Sequence, residues 1–391
     1  MQKTVLLTLG RLPKALELVR ALDAAGCRVL VADPFKSQLS KPSRSVDRSF
    51  VVTPPNKDLD AFHEDLLDIV LSESVDLIIP ISEEALYVAL LEPRLPPRTK
   101  LFGASFQTLE ILHNKLTFQD CVKDSGLLPI PSACANTQEA LALTETDDCV
   151  VKPVLGCSGQ GLAFFETGQP PPPSLLTGDN LIQKRIRGRE ISSQTIARDG
   201  KVLGTVLYEG LAHSGTVSVC FSHVDDCPQT EAWVTQFVKT QKSDGFIAFD
   251  FIVDEEGTPW PLECNPRLTS GIHFMRHDDL AASVLGDELT GPIRLTKSRR
   301  FQEGHTTLLN AYSNTLKPLT MLRQLGLVFS TPDVLWRWRD PLPFFLMTPM
   351  SWPILRQVMF HGVGFGEAAT KDIEWREPAP SLLSNLSAAY V

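Results

Sequence analysis

The chain has 391 residues, enough for about two to four domains. Hydrophobic residues make up 43% and charged residues 21%, as is ordinary for a soluble globular protein, so a sizeable core is available. The formal net charge of −9, from 37 Lys+Arg against 46 Asp+Glu, argues against a non-specific nucleic-acid binder, which needs an excess of cations for phosphates.

The first 110 residues alternate strand and helix. A short apolar strand over 5–7 is followed by a helical pattern over 13–25 and a stop at Gly26. Strands over 28–32, 50–52 and 76–80 follow, with a helix over 58–72 between the last two. This βαβ series predicts a parallel sheet covered by helices. The first turn holds Gly10 alone and lacks G-x-G-x-x-G, so no dinucleotide site is predicted there. Ser82, Glu83 and Glu84 fall just past the fourth strand, where such sheets bind ligands; substrate contact and ordinary first-turn acids are the two readings.

Further on, residues 109–125 read as one helix, 148–152 and 180–183 as strands, and 189–197 with 201–208 as a hairpin across Asp199-Gly200. A helix over 231–241 precedes a second hairpin, 245–253 with 258–263. The tail from 301 carries no chemical motif. Its most apolar stretch, 341–360, contains Pro341, Pro343, Pro349, Pro353 and Arg356, which a spanning helix tolerates poorly; a buried C-terminal segment is expected, with a surface that touches a membrane or a partner as the alternative. Eight cysteines are scattered with no Cys-x-x-Cys pair, as expected of reduced thiols in a cytoplasmic protein. The apolar run after Met1 is too short for a signal-peptide core.

Three strings carry chemistry. The strongest is the second hairpin. Asp250 and Glu263 can meet across its ladder, and Asn265, two residues past Glu263, shares the Glu263 face. The three side chains offer only oxygen ligands, which suits Mg²⁺ (or Mn²⁺). Arg267 follows and can hold a transferring phosphoryl group or pair structurally with Glu263. Cys264 alternates to the opposite face and is read as packing.

The second string is Lys152-Pro followed by a Gly/Ser loop containing Gly156, Ser158, Gly159 and Gly161. Closely spaced glycines let backbone N–H groups approach phosphate, and the lysine supplies charge. Lys115 is a candidate second phosphate lysine, or a solvated helix face. The third string, Gln183-Lys184-Arg185-Ile186 ending at Gly188-Arg-Glu190, reads as an extended linker able to meet an adenine edge, or as a solvated turn. His273 is a candidate substrate contact or base, against a satisfied structural histidine.

These strings, in this order, resemble the ATP-grasp superfamily over about residues 1–300. The resemblance implies α/β and α+β parts: a Rossmann-like parallel-sheet (pre-ATP-grasp) domain over 1–108, ATP-grasp lobes over 109–185 and 186–300, and a C-terminal extension over 301–391. It implies Lys115, Lys152, Ser158 and Gly159 as phosphate contacts, Gln183, Lys184 and Ile186 as the adenine hinge, and Glu190 as a ribose or phosphate contact. It implies Asp250, Glu263 and Asn265 as metal ligands and Arg267 as the catalytic arginine. Many superfamily members have an acid where this chain has Gln183.

A further likeness is to mycosporine-glycine synthase, on Lys14-Ala-Leu-Glu-Leu, Phe249-Asp-Phe-Ile, Glu263-Cys-Asn-Pro-Arg and Asp340-Pro-Leu-Pro-Phe. The implied activity is an ATP- and Mg²⁺-dependent ligase that phosphorylates a carboxylate or enol oxygen and joins it to an amine. A carboxylate–amine ligase making an amide or dipeptide, and a non-catalytic ATP-binding scaffold, are the alternatives. Small-molecule partners are expected, with no nucleic acid and no membrane contact.

Overall fold

The computed structural model describes residues 2–156, 161–215, 217–314 and 317–375. The chain divides into two compact units. The first comprises the residues up to Phe106, Gly210–Ser222 and those from Arg267 on; the second comprises Gln107–Glu209 and His223–Pro266.

The N-terminal part of the first unit is a five-stranded sheet of β1 (Thr4–Leu7), β2 (Arg28–Asp33), β3 (Arg48–Val51), β4 (Leu77–Ile79) and β5 (Lys100–Leu101), in the order β3-β2-β1-β4-β5. Every pairing is parallel. Helix α1 (Pro13–Ala24) lies between β1 and β2, α2 (Leu59–Glu73) between β3 and β4, and α3 (Ala85–Ala89) follows β4. Pro13 opens α1 in the first turn, where a missing N–H forfeits no intrahelical hydrogen bond. Strands β1 and β2 are buried almost throughout, as parallel strands covered on both faces must be. The strand order reverses direction between β1 and β4, and their carboxyl ends deliver Thr8, Ser82, Glu83 and Glu84 to that point.

The next helical stretch is not one helix. Helix α4 (Phe106–His113) stops, and α5 (Lys115–Asp124) starts afresh at Asn114. The Asn114 side chain accepts hydrogen bonds from the amides of Leu116 and Thr117, satisfying donors that a helix start leaves orphaned. The expected single helix over 109–125 is therefore corrected, and Lys115 becomes the first residue of α5.

The second unit carries a four-stranded sheet, order β6-β9-β7-β8, from β6 (Ser132–Cys134), β7 (Cys149–Pro153), β8 (Ala163–Phe165) and β9 (Asn180–Lys184), with α6 (Gln138–Thr146) packed on it. Its other sheet runs β14-β13-β10-β11, from β10 (Arg189–Arg198), β11 (Lys201–Ser214), β13 (Gly245–Val253) and β14 (Pro259–Asn265); β12 is Val217–Val224. Strands β11 and β12 each pass from one unit into the other. One face of β13 and β14 is apolar. Phe249, Phe251 and Cys264 bury there against Phe118 and Val122 of α5 and against Trp233 and Phe237 of α7 (Pro228–Thr240). The rings of Trp233, Phe237 and Phe249 contact one another at centroid distances of 5.0–5.2 Å. The opposite face is left for polar side chains.

In the first unit, β15 (Arg300–Gln302) pairs with β12, and α8 (His277–Leu285) lies near α1. The remaining helices are Gly304–Ser313, Pro318–Ser330, Leu342–Phe345, Met347–Met350, Trp352–His361 and Phe365–Thr370. Buried polar pairs tie this extension to helix α1 and to the loop that follows β1. Arg20 Nε lies 2.8 Å from Asp340 Oδ2, and Arg11 Nη1 lies 2.6 Å from Asp372 Oδ1. The expectation of a buried segment over 341–360 is overturned. Pro343, Ile354 and Leu355 are buried, but Leu342, Phe345, Trp352, Met359 and Phe360 are exposed. The stretch breaks into short helices at its prolines, so it offers one inward face and leaves the rest in solvent. No helix among the described residues is long and apolar enough to cross a membrane.

Candidate nucleotide and metal site

The second hairpin places its acids as its periodicity demands. Asp250 pairs in register with Glu263, and Ala248 with Asn265. Asp250 is held from both sides: Ser192 Oγ donates to Oδ1 at 2.6 Å, and Asn265 Nδ2 donates to Oδ2 at 2.9 Å. Ser192 is the register partner of Asp250 on β10. Glu263 Oε2 lies 3.3 Å from Lys115 Nζ. Among the described residues no group of three or more His, Cys, Asp or Glu side chains converges as a metal site. The cluster here is two carboxylates and an amide on one face of the β13–β14 ladder. That donor set fits Mg²⁺, which takes one or two carboxylates and draws its other oxygens from water and phosphate. It lacks the thiolates and imidazoles that softer metals select.

Two lysines face these acids within the same unit. Lys115 Nζ also donates to the carbonyl of Gly156 at 2.7 Å. Lys152, near the end of β7, is buried, and its Nζ donates to the Leu262 carbonyl at 3.2 Å. Burial is the main influence on the Lys152 ammonium. With help from the charge of Lys115 it outweighs the attraction of Glu263 and Asp250 and lowers the pKa to about 8. Helix α5 is fixed against β14 by Gln119, whose Nε2 donates to the Pro261 carbonyl at 2.8 Å and whose Oε1 accepts from the amide of Ile130 at 2.8 Å. Gly156 sits at φ 120°, a backbone region closed to side chains, so the chain can turn immediately after the lysine strand. Ser158 and Gly159 lie outside the described residues.

The hinge string leaves β9 as expected. Gln183 is buried, and its Nε2 donates to Ser132 Oγ at 2.9 Å; Gln183 Oε1 is a buried acceptor with no hydrogen-bond partner among the described residues. Lys184 pairs with Asp147 at 2.7 Å, Ile186 is half-buried, and Glu190 is exposed on β10 opposite Ile252. The glycine of this string has a packing reason. A Cβ at Gly188 would stand 2.2 Å from the carbonyl oxygen of Val253, so only glycine lets the linker pass β13.

The remaining candidates fall in the first unit. Arg267 Nη2 pairs with buried Glu83 Oε1 at 2.6 Å. Lys14 Nζ donates to Ser82 Oγ at 3.2 Å and to the Leu268 carbonyl at 2.6 Å. Glu84 is committed to the loop, accepting from the amides of Ile81 and Ser82 and from Thr8 Oγ1. His273 is the satisfied structural histidine: it is buried, bonds Glu17 through Nδ1 at 2.9 Å and stacks on Phe221. Sequence reasoning misses Ser192, Gln119 and Ser132. For Ser192 a signal exists, because it alternates in phase with Glu190 on the strand after the hinge.

Residues 112–271 match the family model of the ATP-grasp domain. Solved structures match over most of the chain. The biotin carboxylase domain of 2-oxoglutarate carboxylase from Hydrogenobacter thermophilus, solved with MgADP, ADP and bicarbonate, is 17% identical over 76% of this chain and 73% of that one, with a TM-score of 0.60. N5-carboxyaminoimidazole synthetase from Staphylococcus aureus is 15% identical over 75% of this chain and 81% of that one, at 0.58. L-amino acid ligase from Bacillus licheniformis is 16% identical over 73% of each chain, at 0.55. No curated protein sequence matches the chain. The protein has the ATP-grasp fold, with a parallel N-terminal sheet and antiparallel sheets in the ATP-grasp region.

Proposed function

We propose that this protein is an ATP- and Mg²⁺-dependent ligase that phosphorylates a carboxylate or enol oxygen and joins the activated carbon to an amine, with release of ADP and phosphate. The observation that carries this reading is the convergence of Lys115 and Lys152 on the acids of one hairpin, Glu263 with Asp250. A charged cluster held this way is suited to polyphosphate and its cation. Asp250, Glu263 and Asn265 are the proposed metal ligands, and Mg²⁺ (or Mn²⁺) held there would offset the charge of the phosphates. Lys115, Lys152 and the loop with Ser158 and Gly159 take the phosphates, while Gln183, Lys184 and Ile186 take the adenine and Glu190 the ribose side. Arg267, two residues past Asn265 in the chain, is the proposed catalytic arginine, stabilising the phosphorylated intermediate as phosphate leaves.

Phosphoryl transfer asks a protein chiefly for positioning and charge, and this cluster offers both. Transfer to the acid oxygen makes a leaving group; the amine nitrogen then forms the new C–N bond as the C–O bond breaks and phosphate departs. The matched structures include a synthetase and an amino acid ligase, which favours small acids and amines as substrates. The resemblance of short sequence stretches to mycosporine-glycine synthase, which none of the matched structures named above shares, adds a cyclohexenone enol with glycine as the second pair to try. The test is phosphate release from ATP and Mg²⁺ with amino acids crossed against carboxylic acids and 4-deoxygadusol. Release that needs both an oxygen acid and an amine is expected; ATP binding without release under any pair would leave the scaffold reading.

A further inference from the structure

The C-terminal extension turns apolar side chains toward solvent in a pattern that the site described above does not use. In the helix Pro318–Ser330, Leu319 is 82% exposed, Leu322 60% and Phe329 86%. With Arg323, Gly326 and Ser330 these positions recur every three or four residues, which puts them on one face. The other side of the helix is already used: Leu327 packs on the buried cluster of Ala212, Val219 and Cys220. Elsewhere in the extension Trp338, 85% exposed, stands beside Trp336, whose ring also meets Phe344 and Phe345.

The charge on this stretch is one-sided. Residues 304–366 contain two acids, Asp333 and Asp340. Both are turned inward: Asp340 bonds buried Arg20, and Asp333 accepts from the amides of Gly304, Leu335 and Trp336. The charged side chains left exposed over 317–360 are Lys317, Arg323, Arg339 and Arg356, all basic, in a chain whose net charge is −9.

We infer that this face is a peripheral docking surface for an anionic lipid bilayer. An apolar helical face that carries Arg323, with Lys317 at the helix start, is the composition that lies in the headgroup region. Each basic side chain adds attraction to anionic lipid. A two-fold contact between copies of the chain would set Arg323 and Lys317 of each against the same cations of the other, which opposes self-association through this face.

The test is co-sedimentation of the full chain with vesicles of phosphatidylcholine alone and of equal parts phosphatidylcholine and phosphatidylserine. The chain is expected to sediment with the anionic vesicles, less at high salt, and weakly with the neutral ones. Leu319→Glu with Phe329→Glu should reduce that binding by at least about tenfold, and Arg323→Glu by about fivefold, at unchanged melting temperature. These positions lie outside the nucleotide cluster, so ATP binding by the variants should match the parent, which separates this inference from the ligase reading. Failure to sediment with either vesicle, or binding that the double variant retains, overturns it. So does a concentration-dependent dimer in gel filtration that Leu319→Glu dissolves, or capture by acidic polypeptide that vesicles do not compete away.

Discussion

Lys115 Nζ, at the first turn of a helix that Asn114 caps, stands 3.3 Å from Glu263 Oε2 at the end of the last hairpin strand. The pair joins two segments far apart in sequence, and each partner makes a second contact. Lys115 also holds the Gly156 carbonyl, and Glu263 faces Asp250 across the ladder. Glu263→Gln keeps the shape and removes the charge. Turnover of ATP should fall by about a hundredfold or more, a loss expected when charge stabilisation of transferring phosphate is lost. The melting temperature should stay within a few degrees, since the side chain is partly exposed and paired at a modest distance. Phosphate release and thermal unfolding measured on the same preparation check both halves.

The second prediction concerns pH. Lys152 has a folded pKa of about 8 against an ordinary 10.5, so it loses its proton in the folded, unliganded protein as pH rises through 8. Affinity for ATP should weaken above that pH, because the neutral amine no longer attracts phosphate. Lys152→Met should bind weakly with a flat profile across the same range. The stability linkage has the opposite direction. Between about 8 and 10.5 the unfolded chain holds a proton that the folded chain lacks, so folding stability contributed by this group rises with pH and is lost as pH falls through 8. Calorimetric ATP titrations at several pH values decide the matter.

Glu303 gives a third. Burial, and then the nearby Asp333 charge, raise its carboxyl from 4.5 to about 7, with Thr306 and Lys14 pulling the other way. A group raised in this way contributes stability that is complete below its unfolded pKa and lost as pH rises through 7. Glu303→Gln should therefore unfold at a higher temperature than the parent above pH 7 and show little difference near pH 4.5. Melting curves across that range give the answer directly.

The fourth tests the tie of the extension to α1 and to the loop between β2 and β3. Asp340 Oδ2 accepts from Arg20 Nε at 2.8 Å and from Ser43 Oγ at 2.7 Å, and its Oδ1 accepts from the Arg44 amide. Asp340→Ala would leave a buried guanidinium without its anion and should cost roughly 3 kcal/mol of stability. Denaturant unfolding of the variant reads the loss.

The hairpin acids are legible from sequence because a strand has a strict two-residue period, so Glu263 and Asn265 have to share a face with Asp250 opposite. The βαβ order of the first 110 residues is legible for a similar reason: β1 and β2 are short, apolar and punctuated by Gly26 and Asp33. Asn114 is readable as a helix start, but an apolar pattern runs through it and hides the cap that sets Lys115. The Glu17 cluster is not legible at all. It gathers His273, His277 and Arg337 around one buried carboxylate, and nothing local to any of them announces the others. The C-terminal residues mislead because composition reads apolar side chains as buried, while exposure depends on which side of a short helix has a neighbour.

The most direct measurement is calorimetric titration of ATP into the protein with and without Mg²⁺, beside the same titration of Glu263→Gln. Saturable binding strengthened by Mg²⁺ in the parent, with that strengthening lost in the variant, is the predicted result. No binding of ATP by the parent, or a Mg²⁺ effect that Glu263→Gln leaves intact, would contradict the nucleotide and metal site proposed for this hairpin.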